Sequence, residues 1–306
     1  MLMLRSPLQP QEITDEIRAR FDTRDEAAAL ADPSRITAVA TKGDIGLPAD
    51  LMARLPALQM IAVYGVGVDR IDLDQARDRE IAVTTTPGVL TDAVAEHALA
   101  LLLSAARRIV AGDAHVRTGA WAKAKLDLGF GLKGKTVGIL GYGRIGRRIA
   151  ELARGFGMTV IYSDLAAVPG EEAGYRASPE ALARDADVLI VAAAGGDGTN
   201  GLVGADVLRA LGPDGMLINV ARGSIVDEEA LISALGNGEV GGAALDVFQD
   251  EPSPRHEIMD LPNTIVTPHV SSATTDARRA MGRLVIDNLA AFFDGRPLVT
   301  PLEVKK

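Results

Sequence analysis

The 306-residue sequence predicts an α/β fold built on a doubly wound parallel sheet. Three observations predict it. Short β-branched runs recur along the chain, and most are apolar nearly throughout instead of alternating, the pattern of strands buried on both faces of a parallel sheet. Helix-like stretches such as RIGRRIAELARGF and DEEALISALGNG separate them. A G-x-G-x-x-G sits where one such run passes into one such helix.

In chain order the expected strands are ITAVAT (36–41), LQMIAVY (58–64), IAVTTT (81–86), TVGIL (136–140), MTVIYS (158–163), DVLIVAA (187–193), MLINVA (216–221), AALDVF (243–248) and TIVTPH (264–269). Between the third and fourth, TDAVAEHALALLLSAARR (91–108) opens on a capping-type Thr91 and ends on arginines. Its alanine/leucine body is too apolar around its girth for a solvated surface. It reads as a buried helix that links two lobes or lines a subunit interface, with His97 on it in a structural role. Length alone allows two domains.

Composition narrows the function. The chain is 47% hydrophobic and 24% charged with a net charge of −9, so it lacks the basic surface that nucleic acid or anionic membranes require. There is no cysteine, which excludes disulfides, iron–sulfur ligation and thiol catalysis. The four histidines, His97, His115, His256 and His269, show no metal-ligand spacing. The N-terminal MLMLRSPLQPQE has no apolar signal run, and nothing approaches the roughly 18 apolar residues of a membrane span. The expected location is the cytoplasm.

The stretch ILGYGRIGRR (139–148) places Gly141, Gly143 and Gly146 after a strand and at the start of a helix that Arg144 and Ile145 open. There the first glycine permits a tight turn, the second lets a pyrophosphate approach the backbone, and the third lets helix and strand pack closely; the helix N-terminus faces the phosphate charge. Asp164, 18 residues after Gly146 at the end of the next strand, suits the adenosine ribose hydroxyls. These residues form the candidate cofactor set.

Three late segments follow the ends of expected strands: NVARGSIVDEEAL with Arg222, LDVFQDEP with Glu251, and TPHVSSAT with His269. In open α/β sheets the ligand crevice lies outside the carboxyl ends of the strands, so an arginine, a carboxylate and a histidine could converge there. Taken singly, each also reads as an ordinary surface or loop residue.

The same motifs carry a resemblance. YGVGVDRID (64–72), GILGYGRIGRRIA (138–150), INVARGSIVDEEAL (218–231), ALDVFQDEP (244–252) and TPHVSSAT (267–274) resemble, in order and spacing, the D-isomer-specific 2-hydroxyacid dehydrogenase family. The likeness runs from about residue 40 to 300, and FFDGRPLVTP and VAAAGGDGTNGLV are similar to its glyoxylate/hydroxypyruvate reductase branch. The resemblance implies a two-lobed molecule: a flavodoxin-like substrate domain of residues 1–90 plus 275–306, and a Rossmann-type dinucleotide-binding domain of residues 91–274. It implies a homodimer through the cofactor lobe and its long helix.

It also implies roles. Arg222 binds the carboxylate and carbonyl of a 2-oxo acid, which a planar, permanently charged fork suits. His269 is the acid that protonates the carbonyl oxygen, and Glu251 pairs with it, favours imidazolium and orients the ring. Backbone N–H groups of Val66 and Gly67 hold the substrate carboxylate, and Asp246 lies near the nicotinamide carboxamide. Trp121 either flanks the cleft or simply packs. One departure stands out: the NADPH-preferring reductases of this branch usually carry arginines just past the second strand of the cofactor lobe, where this chain reads Asp164, Leu165, Ala166, Ala167. The expectation is NAD(P)-dependent chemistry, with NAD(H) preferred and NADP(H) possible. Two alternatives stay open: a dehydrogenase of the family for another acid (3-phosphoglycerate, formate or an aryl pyruvate), and a non-catalytic, NAD-sensing corepressor-like protein.

Overall fold

The computed structural model describes residues 1–302 and divides into two compact units, Met1–Leu90 with the segment from Ala273 onward, and Thr91–Ser272. The first unit holds a five-stranded sheet of β1 (Leu2–Leu4), β2 (Thr23–Asp25), β3 (Ala38–Lys42), β4 (Met60–Tyr64) and β5 (Ala82–Thr84). Its order is β2-β1-β3-β4-β5 and every pairing is parallel, the flavodoxin-like arrangement. Four helices connect the strands: α1 (Gln11–Arg20), α2 (Glu26–Ala31), α3 (Ala49–Ala53) and α4 (Leu73–Asp78). Parallel neighbours require such crossovers, because a two-residue turn cannot return the chain to the same end of the sheet.

Two of these strands lie outside the nine expected from sequence. Leu2, Met3 and Leu4 form β1, between β2 and β3, and Leu2 and Met3 have no exposed surface. The MLML that reads as a mere lack of signal peptide is a core strand. At three residues it is too short to show a period. The edge strand β2 is Thr-Arg-Asp, polar and mostly exposed, and gives no apolar signal at all.

The second unit starts with the apolar helix α5 (Thr91–Ala106), which packs on a later helix and on the sheet, and continues through α6 (Ile109–Arg117). Six parallel strands follow: β6 (Thr136–Leu140), β7 (Thr159–Ser163), β8 (Val188–Val191), β9 (Met216–Asn219), β10 (Gly242–Leu245) and β11 (Thr264–Val266). They are joined by α7 (Arg144–Gly155), α8 (Pro179–Arg184), α9 (Ala205–Leu211), α10 (Glu228–Gly236) and α11 (His256–Asp260). The order is β7-β6-β8-β9-β10-β11. The chain leaves β6 for β7 on one side, then crosses back to β8 on the other. That reversal is the switch point beside which open α/β sheets bind ligands. The chain then returns to the first unit as α12 (Thr275–Phe293), whose Arg278 carbonyl accepts the Tyr64 hydroxyl at 3.0 Å.

Candidate active site

The glycine turn is built as its spacing demands. Gly141 has φ +93°, and a Cβ there would fall 2.4 Å from the Ala193 backbone just past β8. A Cβ on Gly146 would fall 2.1 Å from the Gly141 carbonyl oxygen, so no side chain fits between helix and turn. Gly143, the N-cap of α7, is different: a Cβ there would meet nothing within 4 Å. Its glycine therefore keeps the backbone approachable from outside. The first N–H groups of α7, those of Arg144 and Ile145 among them, have no intrahelical acceptor and carry the positive end of the helix dipole. An anionic pyrophosphate fits this cradle.

Asp164, at the end of β7, is half-buried and turned onto the same loop. Its Oδ2 accepts the Tyr142 N–H at 2.6 Å and its Oδ1 accepts the Leu165 N–H at 2.7 Å. Each oxygen retains a further lone pair for a ribose hydroxyl. Behind it lies a cluster the sequence did not reveal. The Tyr142 ring is buried and stacks on Tyr162 at 4.0 Å, and its hydroxyl donates to Glu171 Oε2 at 2.6 Å. Burial and then the Glu171 carboxylate push the Tyr142 hydroxyl pKa up. Arg147 donates to the Tyr142 carbonyl at 3.1 Å with its guanidinium over the same ring. These partners lie up to 29 residues apart in the chain, so no local motif announces them.

The second constellation lies past the ends of β9, β10 and β11. Asn219 shapes the Arg222 turn: its side chain accepts the Ala221 N–H and donates to the Arg222 carbonyl. Arg222 is half-buried and its Nη1 donates to the Ala221 carbonyl at 2.6 Å. Glu251 and His269 meet directly, with His269 Nδ1 2.8 Å from Glu251 Oε2. The other carboxylate oxygen, Oε1, accepts the Phe248 N–H at 3.0 Å. Burial raises the Glu251 pKa, but the hydrogen bonds from His269 and Phe248 and the charges of His269 and Arg222 outweigh it and hold the carboxyl below its ordinary value. An ionised Glu251 fixes the proton on Nδ1 and leaves Nε2 to face a reactant.

Asp246 is fully buried. Its carboxylate anchors the histidine loop: Oδ1 accepts Thr267 Oγ1 at 2.6 Å and the Val270 N–H at 2.9 Å, and Oδ2 accepts the Ser271 N–H at 2.8 Å. His97 Nε2 lies 3.4 Å from Oδ1 and 3.1 Å from Thr267 Oγ1, which gives that histidine a structural place. Burial pushes Asp246 up, yet His97, Thr267 and the two amides together hold it low. His269 itself has φ +51°, a left-handed conformation uncommon outside glycine. That backbone is what turns the two following N–H groups onto one carboxylate.

Val66 and Gly67 follow β4 in the first unit. Val66 is 40% exposed and Gly67 is buried, and the Gly65 N–H donates to Thr86 Oγ1 at 3.1 Å. Trp121 is 69% exposed on a short turn after α6. Among the described residues no group of three or more His, Cys, Asp or Glu could hold a metal ion, and no helix is long and apolar enough to cross a membrane.

Residues 99–271 match the sequence profile of the D-isomer specific 2-hydroxyacid dehydrogenase family, NAD binding domain. The chain belongs to that family. Among relatives of this dehydrogenase, a 2-ketogluconate reductase of Gluconobacter oxydans is 46% identical, over 87% of this chain and 86% of that one. The glyoxylate/hydroxypyruvate reductase A of Arabidopsis thaliana is 41% identical, over 92% and 91%. An NADPH-dependent glyoxylate/hydroxypyruvate reductase from Sinorhizobium meliloti, solved with NADP and malonate, superposes with a TM-score of 0.93 at 38% identity, covering 99% of this chain and 96% of its own. The dehydrogenase thus has a nicotinamide cofactor, with the choice between NAD and NADP open among its relatives.

Proposed function

We propose that this dehydrogenase reduces a small 2-oxo acid of the glyoxylate or hydroxypyruvate kind to the D-2-hydroxy acid, with NADH preferred over NADPH. The observation that carries the reading is the His269–Glu251 pair, a ring nitrogen held 2.8 Å from an ionised carboxylate, in the unit that bears the dinucleotide turn. When bound, a reduced nicotinamide supplies a hydride to the carbonyl carbon. His269 donates the proton from Nε2 to the carbonyl oxygen, while Glu251 stabilises the imidazolium beforehand. Arg222 holds the substrate carboxylate and draws charge onto the carbonyl oxygen. Gly141, Gly143, Arg144, Ile145 and Gly146 receive the pyrophosphate, and Asp164 the adenosine ribose.

NADH preference is supported by Asp164 itself, by the absence of an arginine in the residues that follow it, and by Arg147 being engaged with Tyr142. A homodimer through the dinucleotide-binding unit is supported by Ile109, Val110, Val116, Trp121 and Leu128, all more than half exposed along α6 and the segment after it. We place the enzyme in the cytoplasm, acting on a small-molecule acid without nucleic-acid or membrane partners. The 46% identity to a 2-ketogluconate reductase favours a second reading, a longer sugar acid as substrate. A kcat/KM panel of glyoxylate, hydroxypyruvate, 2-ketogluconate and an aryl pyruvate, with each cofactor, decides. Turnover of none of them would overturn the proposal.

A further inference from the structure

Glu228 is one of two adjacent acids in the first turn of α10, and nothing in VDEEAL separates it from its neighbour Glu229. The fold does: Glu229 is exposed, whereas Glu228 is 2% exposed. Its Oε1 accepts the backbone N–H of Gln249 at 2.6 Å, and its Oε2 meets no donor among the described residues. Gln249 belongs to the short turn between β10 and the catalytic carboxylate. The same turn supplies the Phe248 N–H to Glu251 Oε1. A second tie runs from Gln249 Nε2 to the Val226 carbonyl at 2.9 Å. Backbone packs on backbone at this point: a Cβ on Gly223 would fall 1.9 Å from the Phe248 carbonyl carbon. The turn is therefore clamped between the Arg222 segment and the first turn of α10.

We infer that Glu228 is a positioning residue for the acid–base pair: by accepting the Gln249 N–H it fixes the turn that aims Glu251 at His269. This rests on the reading of His269 and Glu251 as that pair. A buried carboxyl is an expensive way to hold one amide, and a hydrocarbon of similar size would fill the space more cheaply. What the carboxyl adds is a fixed acceptor two residues from Glu251. The charged groups around Glu228 are Arg255, which attracts it, and Asp250 and Glu251, which repel it. Those acting on the pair are Arg222, with Asp246 and His97 anchoring the histidine loop. Burial pushes the Glu228 carboxyl up, toward the neutral acid. Glutamine is then a close mimic that keeps both shape and acceptor.

The experiment is the pH profile of kcat for reduction in full-length Glu228→Leu, Glu228→Gln and, alongside, Glu251→Gln. Loss of the acceptor in Glu228→Leu moves the alkaline limb to lower pH by about half a unit or more and lowers kcat above neutrality roughly threefold, with KM for the 2-oxo acid within about twofold. Glu228→Gln restores the wild-type limb. A folded Glu228→Leu with the wild-type limb overturns the inference, and so does a Glu228→Gln that moves the limb as far as leucine does. Should Glu228→Leu not fold, Glu228→Asp, one methylene shorter, draws the acceptor back from the Gln249 N–H; a shifted limb supports the inference and an unshifted one overturns it. If Glu251→Gln leaves the limb in place, the acid–base reading fails and the positioning role falls with it. If Glu251→Gln moves the limb and the folded Glu228→Leu does not, only the positioning role fails.

Discussion

The backbone N–H of His269 donates to the carbonyl oxygen of Asp246 at 2.8 Å, while the Asp246 carboxylate takes the next two amides, those of Val270 and Ser271. One buried acid thus holds the histidine loop from both sides of a residue in the left-handed region. Such a backbone costs of the order of 1–3 kcal/mol, and it persists only where the surroundings over-determine it.

Asp246→Asn therefore tests the anchor. An amide has one acceptor oxygen where the carboxylate has two, so at least one buried N–H loses its partner, at a cost of about 2–4 kcal/mol. The expected result is a lower denaturant midpoint and a lower kcat, since the His269 ring loses its register. The sign of the pH dependence follows from the depressed acid. Its contribution is fully present above the ordinary Asp value of about 3.9 and is lost as pH falls through its lower folded pKa. The stability gap between wild type and Asp246→Asn should narrow below about pH 4. A gap that widens there contradicts an ionised Asp246.

Arg222→Ala should lower kcat/KM for the 2-oxo acid by two to three orders of magnitude, of the order of 3–4 kcal/mol, through both KM and kcat. Arg222→Lys should recover only part of the loss, because an ammonium cannot present two parallel donors to a carboxylate. A loss below about tenfold in the alanine variant excludes Arg222 from substrate binding.

The His269–Glu251 contact makes a directional prediction. On the proposed reading, reduction consumes a proton delivered by His269, so the rate should fall as pH rises. In Glu251→Gln the anion 2.8 Å away is gone, imidazolium is less favoured, and the alkaline limb should move to lower pH. His269→Asn should lose most of kcat while still binding NADH, measured by fluorescence titration. Near wild-type kcat in that variant would remove His269 from the reaction.

Much of this was legible in the chain because the signals were local. The run TVGIL and the three glycines after it fix a strand, a turn and a helix within a dozen residues, and Gly141, Gly143 and Gly146 each occupy the place their spacing implied. What stayed hidden depends on contacts between distant residues. Asp246 reads as one more acid at a strand end, and only the fold shows that Val270, Ser271 and His97 enclose it. Glu228 and Glu229 are indistinguishable by composition, and burial alone separates them. Tyr142 meets Glu171 only after the chain has run through α7 and β7. The strand Leu2–Leu4 was too short to announce itself.

The last prediction concerns the cofactor. NADPH carries a 2′-phosphate beside the ribose hydroxyl that Asp164 is placed to accept. At an effective dielectric of about 20, like charges 4 Å apart repel by about 4 kcal/mol, and a screened remnant of about 1.4 kcal/mol is already tenfold. NADH should therefore exceed NADPH by at least about tenfold in kcat/KM. Asp164 cannot easily swing aside, because its two oxygens hold the Tyr142 and Leu165 amides. Leu165, by contrast, is fully exposed, so an arginine there disturbs no packing and should change stability by no more than about 0.5 kcal/mol. The double variant Asp164→Asn with Leu165→Arg removes the repulsion and adds a phosphate donor, and should narrow or reverse the preference. Leu165→Arg alone separates the two effects: it should raise turnover with NADPH while leaving NADH nearly untouched. Equal or better turnover with NADPH in the wild-type enzyme would show that Asp164 does not face the ribose and that a basic residue such as Arg144 or Arg147 reaches the phosphate instead.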